Sequence, residues 1–272
     1  MAAYSLKERL DIAQSIAEQA GQMILKARDE QSFSRRYKAG DELVTDTDVA
    51  VDRFISDQLA AYFPDEDQLS EELSPEQALD ASAPKLWVVD PIDGTVNFAQ
   101  GLRHVAVSIG WVEDGVAKVG VVHAPFLQET FTGGQGLGAH CNQQVIQPSV
   151  ASELSRSLVA TGFPYQRAAR DALLPRLAAV LANCRDIRRN GAAALDICDV
   201  ACGRLDAYYE SVSPWDFVAG WVIAREAGAL VGHLCDVPEE VPEDLYAQHL
   251  LVSTPAIYSA MKALLLDADS RA

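Results

Sequence analysis

The 272-residue chain contains no apolar run long enough to cross a bilayer, which takes about 20 consecutive apolar residues. Positive charge is scarce: 22 Lys and Arg stand against 39 Asp and Glu, a formal net charge of −17. A chain this acidic repels nucleic acid at long range, so no nucleic-acid partner is expected. Cysteines are few and odd in number. Cys141, Cys184, Cys198, Cys202 and Cys235 include no CxxC pair, which argues against a disulfide framework and for reduced thiols. Met1 to Arg9 lacks the apolar core of a signal peptide, so the expectation is a cytoplasmic protein with no membrane partner. What is present is 49% hydrophobic and 22% charged residues, the composition of a globular protein with a sizeable core.

Hydrophobic spacing predicts helices over residues 4–28, from about Asp48 to Tyr62, over 166–183, over 192–202, from Trp215 to Ala227 and from Pro255 to Asp267. Extended segments are predicted around 33–45, at Leu86–Asp90, 104–112, 116–123, Glu129–Thr132, Ser157–Thr161, Asp186–Arg188, Leu205–Glu210 and Ala229–Gly232. Residues 65–84 and Gly133–Gly138 read as loops. The pattern is an α+β half over 1–145 followed by an α/β half over 146–272, within one compact unit.

Five acids stand out. Asp90 ends the apolar run Leu86-Trp-Val-Val, and Asp93 follows across Pro91. Proline fixes its own φ and biases its predecessor to an extended form, so this turn is stiff and can hold two carboxylates at fixed positions. Hard cations such as Mg²⁺ take oxygen ligands in this way. Gly94-Thr95 then feeds a helix, where a close backbone approach and exposed N–H groups favour an anion. Glu71 lies in an acidic loop, Asp216 follows Trp215 in a helix, and Asp48 starts one. Taken singly, an Asp-Gly pair is usually a turn and a Glu-Glu pair a solvated surface. Asp90 differs, because an acid at the end of a buried strand needs a cation or donors to offset its desolvation.

Trp87-Val-Val-Asp90-Pro-Ile-Asp93-Gly-Thr95-Val-Asn97-Phe98 closely resembles the first signature of the inositol monophosphatase family, and Trp215-Asp216-Phe-Val-Ala219-Gly220 its second. Ser70-Glu71-Glu72, Leu43-Val-Thr45-Asp46-Thr47-Asp48, Thr161-Gly-Phe-Pro164, Arg188 to Ala194 and Asp206-Ala-Tyr-Tyr-Glu210 extend the resemblance over nearly the whole chain in the same order. It implies a layered αβαβα sandwich of the sugar-phosphatase type, two or three Mg²⁺ per site, Li⁺ sensitivity and a homodimer. The implied reaction is hydrolysis of a phosphate monoester, most simply inositol monophosphate, by metal-activated water.

Carried over residue by residue, Glu71, Asp90 and the Ile92 carbonyl hold one metal, Asp90, Asp93 and Asp216 a second, and Glu71 touches a weaker third. The implied catalytic residues are Thr95, Asp48 and Glu71. The Gly94 and Thr95 amides hold phosphate oxygens, while Asp48 orients Thr95 beside the attacking water. Asp93, Gly191, Ala192, Ala193, Glu210 and Asp216 face the substrate, with the Ala193 backbone on its ring. Lys38 lies near the family's mobile-loop lysine. Asn190 and Ala192 depart from the commoner family residues, which leaves the substrate open: histidinol phosphate, fructose 1,6-bisphosphate and adenosine 3′,5′-bisphosphate are alternatives, as is a regulatory protein that keeps the fold.

Overall fold

The computed structural model describes residues 4–37, 43–75, 84–164, 170 and 173–271. Helix α1 (Leu6–Asp29) opens on a capping box in which Ser5 and Glu8 satisfy each other's backbone amides, and it buries Leu10, Ala13, Ile16, Ala17, Ala20 and Ile24 at helical spacing. The antiparallel pair β1 (Arg35–Tyr37) and β2 (Leu43–Thr45) leads into α2 (Asp46–Tyr62). This helix starts two residues before the predicted Asp48. The Asp48 carboxylate accepts bonds from the Thr45 amide, at 2.9 Å, and from the Thr45 hydroxyl, so Asp48 closes the first turn rather than beginning it.

Strands β3 (Asp67–Ser70), β4 (Lys85–Asp93), β5 (Ala106–Glu113), β6 (Val116–Ala124), β7 (Glu129–Gly134), β8 (Gly138–Cys141) and β9 (Gln144–Val145) form one sheet in that order. The short helix α3 (Thr95–Gln100) leaves the end of β4. On β4, Trp87 and Val89 pack in one core with α1 and α2, while Leu86 and Val88 pack in another on the opposite face. Burial of both faces explains the unbroken apolar run.

Two loop expectations are corrected. Residues 67–70 pair in parallel with β4, from Asp67 opposite Leu86 to Ser70 opposite Val89. Two exposed or half-buried polar residues at the start of β3 mask its buried Leu69. Gly133 and Gly134 belong to β7, and Gly138 opens β8.

The second sheet runs β11 (Asp186–Arg188), β10 (Leu158–Thr161), β12 (Ala207–Glu210), β14 (Leu250–Ser253), β13 (Leu230–His233). The first three strands are parallel, and β14 is antiparallel to both its neighbours. The spacing did not predict β14, whose four residues are all buried. Helices α5 (Ala193–Ala201) and α6 (Pro214–Ala227) fill the space between the sheets. Helices α4 (Leu174–Asn183) and α7 (Tyr258–Ser270) cover the outer face. The helix predicted over 166–183 is seen only as α4; residues 165–169 and 171–172 lie outside the described residues, as does Lys38. The result is a layered αβαβα sandwich. Among the described residues no helix is long and apolar enough to cross a membrane.

One row of glycines sets the position of α6. Gly110 on β5 pairs with Gly120 on β6, which pairs with Gly133 on β7. A Cβ on Gly120 would lie 2.2 Å from the Ala219 carbonyl oxygen, and one on Gly133 would lie 2.8 Å from the Ile223 Cα. A Cβ on Gly110 would meet Val218 at 2.7 Å. This bare notch lets α6 lie directly on the sheet backbone. Its first turn then reaches the end of β4, where the Ser108 hydroxyl donates to the Trp215 carbonyl at 3.1 Å.

Candidate active site

Asp90 and Asp93 are three residues apart, and a regular strand would turn them to opposite faces. The β4–β5 register prevents this. Asp90 pairs with Ser108 and Asp93 with Ala106, so β4 spends one extra residue there. That bulge reverses the alternation: Ile92 joins the α1–α2 core, and both carboxylates point the other way. The Asp90 Oδ1 accepts the Ile92 amide at 2.9 Å, which holds the turn closed.

The Gly110–Gly120–Gly133 notch brings Asp216, in the first turn of α6, to the same place. Asp90, Asp93 and Asp216 offer carboxylate oxygens within 4.8 Å of one another. Asp90 is 1% and Asp93 5% exposed. Burial, then the Glu71, Asp93 and Asp216 carboxylates, push Asp90 well above the ordinary carboxylate range. Burial, then Asp216, pushes Asp93 up to about 8, although the Ala194 amide opposes the shift. Among the described residues no Lys or Arg is ion-paired with Asp90 or Asp93. Like charges this close and this dry are stable together only with protons or a cation. The donors are all oxygen, which suits a hard divalent cation.

Glu71 follows β3 and lines the same cleft. Its backbone amide donates to the Val89 carbonyl at 3.2 Å. The loop beyond it is tied down by Asp52, a buried acid of α2 whose Oδ2 accepts the Glu72 and Leu73 amides at 3.0 Å each. Asp52 was not singled out in the sequence. Its signal was only an acid on the inner face of a predicted helix.

Gly94 takes φ +92°, open to glycine, and a Cβ there would meet the His104 carbonyl oxygen at 2.9 Å. The Thr95 hydroxyl lies 2.7 Å from Asp48 Oδ1 and 3.1 Å from the Ile92 carbonyl. Burial raises the Asp48 carboxyl, against the bonds from Thr45 and Thr95. Asn97, also missed as a site residue, donates to the His104 carbonyl at 2.7 Å and to the Asn190 carbonyl at 2.8 Å. It fastens the turn after β4 to the segment carrying Gly191, Ala192 and Ala193.

That segment faces the cleft from the other side. The Ala193 and Ala194 amides at the start of α5 donate to Asp93 Oδ1 and Oδ2 at 3.0 and 2.7 Å. The Ala193 amide is therefore engaged by Asp93. Glu210, at the end of β12, closes the cleft and accepts from the Tyr208 hydroxyl at 2.7 Å. Burial pushes the Glu210 carboxyl up to about 7. The whole cleft has a volume of about 370 Å³ and gathers Glu71, Asp90, Ile92, Asp93, Gly94, Thr95, Gly191, Ala192, Ala193, Glu210 and Asp216. Asp48 lies behind Thr95. Arg189 also lines it, the one basic residue among the described lining and one the sequence did not single out.

The inositol monophosphatase family model matches residues 5–269. The inositol-1-monophosphatase of Synechocystis is 38% identical over 238 residues, covering 86% of this chain and 80% of the relative. The Nus factor SuhB of Pasteurella multocida is 36% identical over 254 residues, covering 91% and 92%. The solved inositol monophosphatase from Anabaena superposes with a TM-score of 0.83 at 33% identity, covering 96% of each chain. With the layered fold and the acidic cleft, these likenesses place the chain in the inositol monophosphatase family.

Proposed function

We propose that the chain is a Mg²⁺-dependent phosphomonoesterase that hydrolyses a small polyol phosphate, inositol monophosphate first. The observation that carries this reading is the buried Asp90–Asp93–Asp216 cluster beside the Gly94-Thr95 turn. Glu71, Asp90 and the Ile92 carbonyl would hold one cation, and Asp90, Asp93 and Asp216 a second, with Glu71 touching a third. Bound divalent cations supply charge neutralisation, activation of water and stabilisation of the leaving oxygen.

The chain's own residues do the rest. The Gly94 and Thr95 amides position phosphate oxygens. The Thr95 hydroxyl gives its proton to the bond with Asp48 and so turns a lone pair towards the attacking water. Asp93 orients the polyol from the side of β4, and Ala193 and Glu210 orient it from the opposite wall, with Gly191 and Ala192 beside them. Phosphoryl transfer asks for positioning and charge compensation rather than a protein nucleophile, which fits a cleft lined by neither Cys nor His among the described residues. A homodimer, Li⁺ inhibition and a cytoplasmic location belong to the same proposal.

The test is phosphate release from inositol 1-phosphate with and without Mg²⁺. Asp93→Asn is expected to lower kcat on the order of 10³-fold, and unchanged turnover would overturn the site. The likeness to a protein named Nus factor SuhB supports a second reading, a regulatory role for the same fold. A folded chain that releases no phosphate from a panel of monoesters with Mg²⁺ would favour it.

A further inference from the structure

Glu210 is held by two residues to which the proposed reaction gives no role. Tyr208, fully buried on β12, donates its hydroxyl to one Glu210 carboxylate oxygen at 2.7 Å. Gly162 follows directly on β10, whose last residue Thr161 pairs with Tyr209. The next step of that parallel register sets Gly162 beside Glu210. A Cβ on Gly162 would lie 2.1 Å from both carboxylate oxygens and 2.3 Å from their carbon. The Glu210 carboxylate therefore lies flat against the Gly162 Cα.

The φ of Gly162 is not in the left-handed region, so the backbone itself does not require glycine there. What requires glycine is room for a carboxylate. Thr161 Oγ1 donates to the Tyr209 carbonyl at 2.8 Å, which fixes the strand end from which Gly162 departs. Tyr208 has no other polar contact among the described residues, so its buried hydroxyl is committed to Glu210.

We propose that Gly162 and Tyr208 are positioning residues that fix Glu210 as a hydroxyl acceptor and thereby select polyol phosphates over phosphomonoesters without hydroxyl groups. The bond from Tyr208 engages one carboxylate oxygen, leaving acceptor capacity on the other for a substrate hydroxyl. A hydrogen bond that is prepaid in geometry discriminates strongly against a substrate that cannot make it. The inference rests on the phosphomonoesterase reading above.

The experiment measures kcat/KM with Mg²⁺ for inositol 1-phosphate and for phenyl phosphate, in the wild type, Gly162→Ala, Tyr208→Phe, Glu210→Gln, and the two double variants that add Glu210→Gln. The clash in Gly162→Ala falls on the far end of a flexible side chain, so the carboxylate swings away and the strand stays. The selectivity ratio for the polyol substrate is expected to fall roughly tenfold in each single variant. In the Glu210→Gln background, Gly162→Ala and Tyr208→Phe are expected to change it no further, which a merely structural role would not produce. Unchanged ratios in Gly162→Ala and Tyr208→Phe, or losses that add to that of Glu210→Gln, would overturn the inference. If Gly162→Ala does not fold, Tyr208→Phe and its double variant decide alone. A wild type that releases phosphate from neither substrate would instead overturn the phosphomonoesterase reading, and the inference with it.

Discussion

Buried acids lie against both ends of strand β4, one near its start and a cluster at its far end, and they are satisfied in opposite ways. Near its start, Glu66 accepts two bonds of 2.7 Å from Arg9 and one each from the Trp87 and Trp111 indoles, at 2.9 and 3.0 Å. The Arg9 and Glu66 side chains are only 4% and 8% exposed, and the guanidinium also stacks over Trp111. At its far end, Asp90 and Asp93 are as deeply buried, face Asp216, and are ion-paired with no Lys or Arg among the described residues. The first acid carries its own cation in the sequence. The second group has its carboxyls pushed upward by burial and by one another. One chain thus contains a completed ion pair and, at the other end of the strand, a crowded cluster of acids offering the oxygen donors that a hard divalent cation takes. Burial alone does not distinguish them; Glu66 has a directly paired guanidinium, whereas Asp90 and Asp93 have no ion-paired Lys or Arg among the described residues.

Removing that cation tests the contrast most strongly. Arg9→Met leaves Glu66 buried against two indoles, and loss of one partner of a buried pair costs about 3–5 kcal/mol. Urea unfolding would measure it, and added Mg²⁺ is not expected to restore the loss. Recovery with Mg²⁺ would mean that the two regions are interchangeable.

The second test is the pH dependence of metal-free stability. Asp93 has a folded pKa raised to about 8, against about 3.9 for an unfolded Asp. The folded state therefore holds more protons across that window, and its stability falls as pH rises from about 4 to 8. Asp90 acts with the same sign. In EDTA the urea midpoint is expected to drop between pH 5 and pH 8, and Mg²⁺ to raise it more at pH 8 than at pH 5. Asp93→Asn should flatten part of that slope.

A smaller effect concerns how Asp216 reaches the cluster. Gly120→Ala puts a methyl group against the backbone of α6 and should cost about 1–3 kcal/mol by overpacking. Because the shift is transmitted along α6, Mg²⁺ affinity should weaken as well, by calorimetric titration. Smallest is Thr45→Val, which removes one donor to Asp48 and should cost about 1 kcal/mol by urea unfolding.

Much of this was legible in the sequence, for physical reasons. A stiff Asp-Pro-Ile-Asp turn after a doubly buried strand announces co-located carboxylates, and helical spacing marked α1, α2 and α6. The geometry that makes the turn work was not legible. The extra residue between Asp90 and Asp93 shows only in the register with β5. Likewise Gly110, Gly120 and Gly133 are far apart in sequence and form a row only after three strands pair. Gly133 read as loop because glycine usually marks a turn, whereas here it makes room for a helix. Strand β14 was missed because four buried residues between loops carry no periodicity that separates strand from helix. Tyr208 and Gly162 became informative only when Glu210 was placed between them.

On the proposed function, the Asp90–Asp93–Asp216 cluster is completed by an external divalent cation. Calorimetric titration of the metal-free protein with Mg²⁺ at pH 7, in buffers of different ionisation enthalpy, counts the protons that leave as the cation binds. With Asp93 raised to about 8 and Asp90 also raised, by burial and the neighbouring carboxylates, binding should release on the order of one proton or more per site, and Asp93→Asn should release fewer. Mg²⁺ binding without proton release, or release unchanged by Asp93→Asn, would contradict the account.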